Sequence, residues 1–227
     1  ITCANGTDAL QLALMAWGIG KGDAVFVPDF TFFSSGEVVP LVGAEPIFVD
    51  IDENTYNISP ESLETAIRYV RENTDLKPRI IVAVDLFGQP ADFDKIRQIA
   101  EQYNLLILED AAQGFGGKIG EKKACSFGDI ATTSFFPAKP MGCYGDGGAI
   151  FTNNDEWAEL ICSYCVHGKG KDKYDNVRIG INSRLDTLQA AVLLEKMKFF
   201  DSEIEKCNRI AEQYTKQLRE TVNTPVV

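Results

Sequence analysis

Residues 79–110, RIIVAVDLFGQPADFDKIRQIAEQYNLLILED, hold the pattern that decides the fold. RIIVAVD (79–85) and LLILED (105–110) are short runs, apolar on both faces and closing on carboxylates, and between them DFDKIRQIAEQYN spaces its apolar residues as a helix does. A strand that is apolar on both faces needs cover on both faces, the situation of a sheet sandwiched by helices. The stretch therefore reads strand, helix, strand.

The alternation extends in both directions. AVFVP (24–28) and PIFVD (46–50) come before it, and IATTSFF (130–136) and GAIFT (148–152) come after. DALQLALMAWG, following Gly6, and SPESLETAIRYVREN, where Ser59 before Pro60 forms a helix-start signal, supply further helices. Strands and helices alternating in this way predict a doubly wound α/β domain. From Ser183 onward the sequence reads as one long amphipathic helix or a helix pair. The first residue is not methionine, the chain opens on a strand-like ITCA and it stops at TPVV just after that helix, which reads as a piece of a longer polypeptide.

Composition excludes several partners. A net charge of −11 and a pI near 4.6 would repel a nucleic-acid backbone or an anionic membrane. No apolar run approaches the roughly 18 residues of a membrane span and no charged-then-apolar leader opens the chain, so a cytoplasmic location is expected. The six cysteines are expected as free thiols. Cys162, Cys165 and His167 form the sharpest cluster, at the end of the helix-like EWAELICSYCVHG, but zinc wants four ligands; packed thiols and no metal are the reading.

In open α/β sheets ligands bind beyond the carboxyl ends of the strands, and Asp110, Gln113, Ser134 and Lys139 all follow such ends. Lys139 is the one lysine in the apolar, glycine-rich SFFPAKPMGCYGDGGAIFTN (134–153). A lysine in apolar surroundings becomes a usable amine nucleophile, whereas a loop lysine packs its stem and sends its head to water. In CANGTDAL (3–10), Gly6 and Thr7 open a helix whose free amides and hydroxyl would hold a phosphate, although Asn5 and Thr7 also suit simple caps. Asp110 could keep a ring nitrogen protonated and Gln113 could bond a ring oxygen; Asp110 also suits a helix cap, and Ser134 a bond to backbone. GFGGKIG (114–120) lacks the dinucleotide spacing, HGKGK (167–171) lacks the Ser or Thr of a P-loop, and a single His167 without GxSxG leaves little for a hydrolase triad.

Together CANGTDAL, GDAVFVPDFTFFSS, GAEPIFVDID, FGQPADFD, EDAAQ, SFFPAKPMGCYGDGGAIFTN and GINSRLDTLQAA resemble the DegT-type nucleotide-sugar aminotransferases, pyridoxal-phosphate enzymes of aminotransferase fold type I. The resemblance spans nearly the whole chain. It implies a three-layer α/β/α fold with a mostly parallel, about seven-stranded sheet, with residues 1–182 as the cofactor-binding large domain and 183–227 leading to a small domain largely absent from the sequence. It implies pyridoxal 5'-phosphate as cofactor and assigns Lys139 to the Schiff base and proton shuttling and Asp110 to the pyridine nitrogen. Gln113 would take the phenolic oxygen, Phe32 would stack on the ring, and Gly6, Thr7 and Ser134 would hold the phosphate. Asn182 would reach the phosphate of a neighbouring subunit in a homodimer, and Arg184 would meet a substrate carboxylate. The implied reaction moves an amino group, from glutamate as donor, to a keto group on a nucleotide-linked sugar. Within the family the motifs look most like enzymes aminating 3-keto UDP-N-acetylglucosaminuronic acid for bacterial surface polysaccharide. A 4-keto-sugar aminotransferase and a non-catalytic or regulatory member of the fold are the alternatives. Asp85 departs from the pattern, standing where many family members have histidine.

Overall fold

The computed structural model describes residues 1–172 and 174–226. Seven strands form one sheet: β1 (Thr2–Cys3), β2 (Asp23–Pro28), β3 (Glu45–Val49), β4 (Lys77–Val84), β5 (Leu106–Asp110), β8 (Ile130–Ser134) and β9 (Gly148–Phe151), in the order β1-β9-β8-β5-β4-β2-β3. A two-residue hairpin, β6 (Lys118–Ile119) with β7 (Lys122–Lys123), lies between β5 and β8. The five strands from β8 to β3 are parallel, while β9 runs antiparallel to β8 and β1 antiparallel to β9.

Helices cover both faces. On one face α1 (Gly6–Ala16), α2 (Ser34–Leu41) and α5 (Asp155–Tyr164) close a core containing Leu12, Leu14, Val25, Val82, Val84 and Leu108. On the other, α3 (Pro60–Asn73) and α4 (Phe93–Tyr103) close a core containing Phe26, Ile67, Ile81, Ala83, Ile96 and Ile107. Alternate residues of β4 and β5 thus feed opposite cores, which explains why both strands read as continuous apolar runs. The helix starts are chemically specified. Ser59 accepts from the Ser62 amide, Asp92 from Lys95 and Asn154 from Trp157.

The C-terminal stretch is a helix pair, α6 (Thr187–Met197) and α7 (Phe200–Leu218). Leu193 and Phe200 pack on Phe135, Met141 and Cys143, so the pair seats on the loop between β8 and β9. Beyond Phe200, α7 is exposed along most of its length. All six cysteines are free. Cys165 is buried and Cys162 exposed, and among the described residues no three His, Cys, Asp or Glu side chains converge. Among the same residues no helix is long and apolar enough to cross a membrane.

Candidate active site

The parallel strands deliver their carboxyl ends to one edge, and the loops leaving them carry the groups singled out in the sequence. Lys139 sits on a turn after β8, its amide donating to the Phe136 carbonyl (2.9 Å), with Pro137 at the position where its fixed φ favours a turn. Gly142 closes this turn so tightly that a Cβ there would collide with the Pro137 carbonyl oxygen. From α6, the Lys196 ammonium donates to the Gly142 carbonyl (2.5 Å) and Gln189 Oε1 accepts from the Tyr144 amide (2.7 Å). The helix pair therefore anchors the segment that follows the lysine.

Lys139 Nζ lies 5.6 Å from the centroid of the Phe32 ring, which is 64% exposed. Its charge also acts on Asp110, the last residue of β5. That carboxyl is only 5% exposed, and Oδ2 accepts from Ser35 Oγ (2.7 Å) while Oδ1 accepts from the Ala112 amide (3.2 Å). Burial pushes the Asp110 carboxyl above its ordinary value, against the opposing pull of the Ser35 hydroxyl, the Ala112 amide and Lys139.

The start of α1 completes the group. Asn5 caps the helix by accepting from the Asp8 amide (2.8 Å), which leaves the Gly6 and Thr7 amides without an intrahelical acceptor. Gly6 packs directly on Ser134: a Cβ there would fall 2.7 Å from the Ser134 Cβ, so only glycine brings the helix start this close. Thr7 Oγ1 and Ser34 Oγ share a hydrogen bond (2.8 Å). Gln113, in the turn after β5, is oriented by its Oε1 accepting from the Phe87 amide (3.0 Å), which turns its NH₂ into a free-standing donor.

Seven of the nine sequence-selected residues thus stand at one edge of the sheet: Gly6 and Thr7 at the start of α1, Asp110 and Ser134 at strand ends, and Phe32, Gln113 and Lys139 on loops. Asn182 and Arg184 lie on the segment between α5 and α6. They flank Ser183, whose Oγ accepts from the Ala4 amide (2.9 Å), and both are exposed. The sequence reading passed over Ser34, Ser35, Gln189, Lys196 and the Phe87 amide. FTFFSS placed both serines within one helical turn of Phe32, the one signal that could have found them.

An amine, a buried carboxylate and a helix N-terminus thus stand at the carboxyl edge of a doubly wound sheet. A sequence model of the DegT/DnrJ/EryC1/StrS aminotransferase family matches residues 1–227, and the chain belongs to that family. The UDP-2-acetamido-2-deoxy-3-oxo-D-glucuronate aminotransferase of Pseudomonas aeruginosa is 48% identical over 228 residues, covering 100% of this chain and 61% of that protein. A solved DegT/DnrJ/EryC1/StrS aminotransferase from Brucella abortus matches with a TM-score of 0.98 at 55% identity, covering 100% of this chain and 61% of the other. NtdA from Bacillus subtilis, solved with bound cofactor PMP, matches with a TM-score of 0.87 at 37% identity, covering 97% of this chain and 48% of the other. The chain spans 61% or less of the length of these relatives.

Proposed function

We propose that the chain is the cofactor-binding part of a pyridoxal-phosphate aminotransferase that aminates a keto group of a nucleotide-linked sugar. The observation that carries this reading is the unfilled accepting capacity of Asp110. A carboxylate offers about four acceptor positions, and this buried one has two donors among the described residues, with the Lys139 charge acting on it. A protonated ring nitrogen fits what is left.

The other residues fit the same molecule. The Gly6 and Thr7 amides with the Ser134 hydroxyl suit its phosphate, held at a helix start that a Cβ would block. Phe32 offers a ring face, and the Gln113 NH₂, fixed by the Phe87 amide, suits the phenolic oxygen. When bound, the group supplies an electron sink for the carbon from which a proton is removed. Asp110 would keep the ring nitrogen protonated, and Lys139 would hold the cofactor through its amine and move the proton at the substrate carbon.

Residues 1–182 form the large domain in this reading, and 183–227 lead toward a small domain. The name of the Pseudomonas aeruginosa relative supports a 3-keto UDP-N-acetylglucosaminuronic acid as acceptor; glutamate as donor, surface polysaccharide synthesis and a cytoplasmic location belong to the same proposal. Arg184, exposed, would meet the sugar carboxylate, and Asn182 would serve the site of a second copy in a homodimer.

Mixing the protein with pyridoxal phosphate, reducing with borohydride and mapping the adduct by mass spectrometry tests the reading. The expected adduct lies on Lys139, and Lys139→Ala should remove it entirely while circular dichroism stays unchanged. An adduct that persists in a folded Lys139→Ala variant overturns the assignment.

A further inference from the structure

Behind the active-site edge, on the α3/α4 face of the sheet, lies a second carboxyl pair that the reaction does not touch. In the register of β4 and β5, Ala83 opposes Glu109 and Val84 opposes Asp110. Because side chains alternate, Asp85, one step beyond Val84, falls on the Glu109 side. Its amide continues the ladder by donating to the Asp110 carbonyl (3.0 Å). Asp85 and Glu109 are both wholly buried, at 0% exposure.

The two carboxyls are provided for unequally. Glu109 accepts from three amides, those of Cys125 (2.5 Å), Phe127 (2.7 Å) and Gly128 (2.9 Å). Asp85 Oδ1 accepts from the Ala91 amide (3.3 Å), but Oδ2 is sealed from water without a donor among the described residues. Two ionised carboxylates here would leave a buried charge facing a like charge, an arrangement costing several kcal/mol. A proton on Asp85 removes the conflict: Oδ2 becomes a donor, and the Glu109 carboxylate is its acceptor.

Asp85 also stands beneath the turns that carry cofactor-facing groups. A Cβ on Gly114, next to Gln113, would come within 2.5 Å of Asp85 Oδ2. The 3₁₀ turn Leu86–Gly88 begins right after Asp85, and in it Phe87 adopts a left-handed φ of 58° that a bulky residue keeps only under constraint. The amide of that same Phe87 orients Gln113.

We propose that Asp85 is a positioning residue whose carboxyl keeps one proton, donates it to Glu109, and so holds the Leu86–Gly88 turn and the Gln113 amide in register with the cofactor site. The shared proton is a property of the apoprotein; its consequence for the cofactor rests on the proposed function. Burial first, then the neighbouring Glu109 charge, raises Asp85 well above the usual carboxylate range, and burial raises Glu109. The remaining titratable groups acting on the pair are Asp110 from β5 and the Cys125 thiol from the loop after β7, and Lys139 faces Asp110 on the opposite side of the sheet. None of the groups acting most strongly on Asp85 carries positive charge.

The sign of the linkage follows. A carboxyl raised in the folded state stabilises that state while protonated and loses the contribution as pH rises through its folded value. Loss of the proton should loosen the turn, so affinity for pyridoxal phosphate should fall on the alkaline side. Asp85→Asn keeps a neutral donor toward Glu109 and an acceptor for Ala91. Its affinity at neutral pH is expected within about threefold of the unmodified protein, a change under 1 kcal/mol, with that alkaline fall abolished. Asp85→Leu, of similar size but without a donor, should bind about tenfold more weakly at every pH, since one lost anchoring hydrogen bond is worth about that much. An unchanged alkaline fall in Asp85→Asn overturns the proposal. Infrared spectra of the unmodified apoprotein supply a test independent of variant folding and of the cofactor: a protonated-carboxyl stretch at neutral pH is expected, and its absence overturns the proposal. Failure of the cofactor reading itself would appear in the Lys139 adduct and would leave the infrared result standing.

Discussion

Glu109 and Asp110 are neighbours on β5, both buried and both raised by burial, yet they face opposite sides of the sheet with opposite provisions. Glu109 is saturated, with three backbone amides and Asp85 filling about four acceptor positions. Asp110 has a serine and one amide, and a lysine ahead of it. The difference separates two uses of the same functional group. A carboxylate that gathers three backbone amides fixes a loop, because each amide is a point on the chain. One left partly unpaired at a strand end keeps capacity for a ligand.

The strongest way to break this contrast is Glu109→Ala. It leaves the Cys125, Phe127 and Gly128 amides buried without their acceptor. Each such orphan costs about 1–3 kcal/mol, and partial relaxation should bring the total to about 3–5 kcal/mol. Urea unfolding of the apoprotein measures it. A loss under about 1 kcal/mol would mean that the amides find water readily and that Glu109 does not fix the loop.

Asp110→Asn should do the reverse. The amide keeps the size of the side chain and can still meet Ser35 and Ala112, so the unfolding midpoint should move little. The half-reaction with glutamate, followed by its absorbance change, should slow by about 100- to 1,000-fold, the usual effect of removing a fixed electrostatic partner of developing charge. Unfolding in place of slowing would put Asp110 in the same structural category as Glu109 and erase the comparison.

How far the sequence disclosed this contrast follows from the range of each interaction. The strands, the helix start at Ser59 and the α/β layering rest on local periodicity and a cap, which neighbouring residues specify. Asp110 and Gln113 stood out as candidates because strand ends mark ligand sites in such sheets. Lys139 stood out because an ammonium in an apolar, proline-framed turn demands a reason. Glu109 was not legible as a loop anchor, since its amides come 16 to 19 residues later and nothing local announces them. Asp85 was visible as an oddity, but its burial against Glu109 exists only once β4 and β5 are in register. The single-helix or helix-pair ambiguity after Ser183 reflects amphipathic spacing that continues through the break at Lys198–Phe199.

The finest test of the contrast is Ser35→Ala, which touches Asp110 without touching its charge. Ser35 Oγ gives Asp110 its shortest hydrogen bond (2.7 Å), and among the effects that favour the ionised form it comes first. Removing it should push an already raised carboxyl higher, at a cost of about 1 kcal/mol to the charged state. Activity that depends on ionised Asp110 should then appear at higher pH, moving the acid limb of the rate profile upward by about 0.7 unit, since one unit corresponds to 1.36 kcal/mol. The plateau above that limb should change little, because Asp110 is ionised there with or without the hydroxyl. A protonated Asp110 is no burden to the fold, so the unfolding midpoint in acid should also hold. If the acid limb stays in place while stability drops, the serine is packing rather than tuning, and Asp110 owes its state to Lys139 and the Ala112 amide alone.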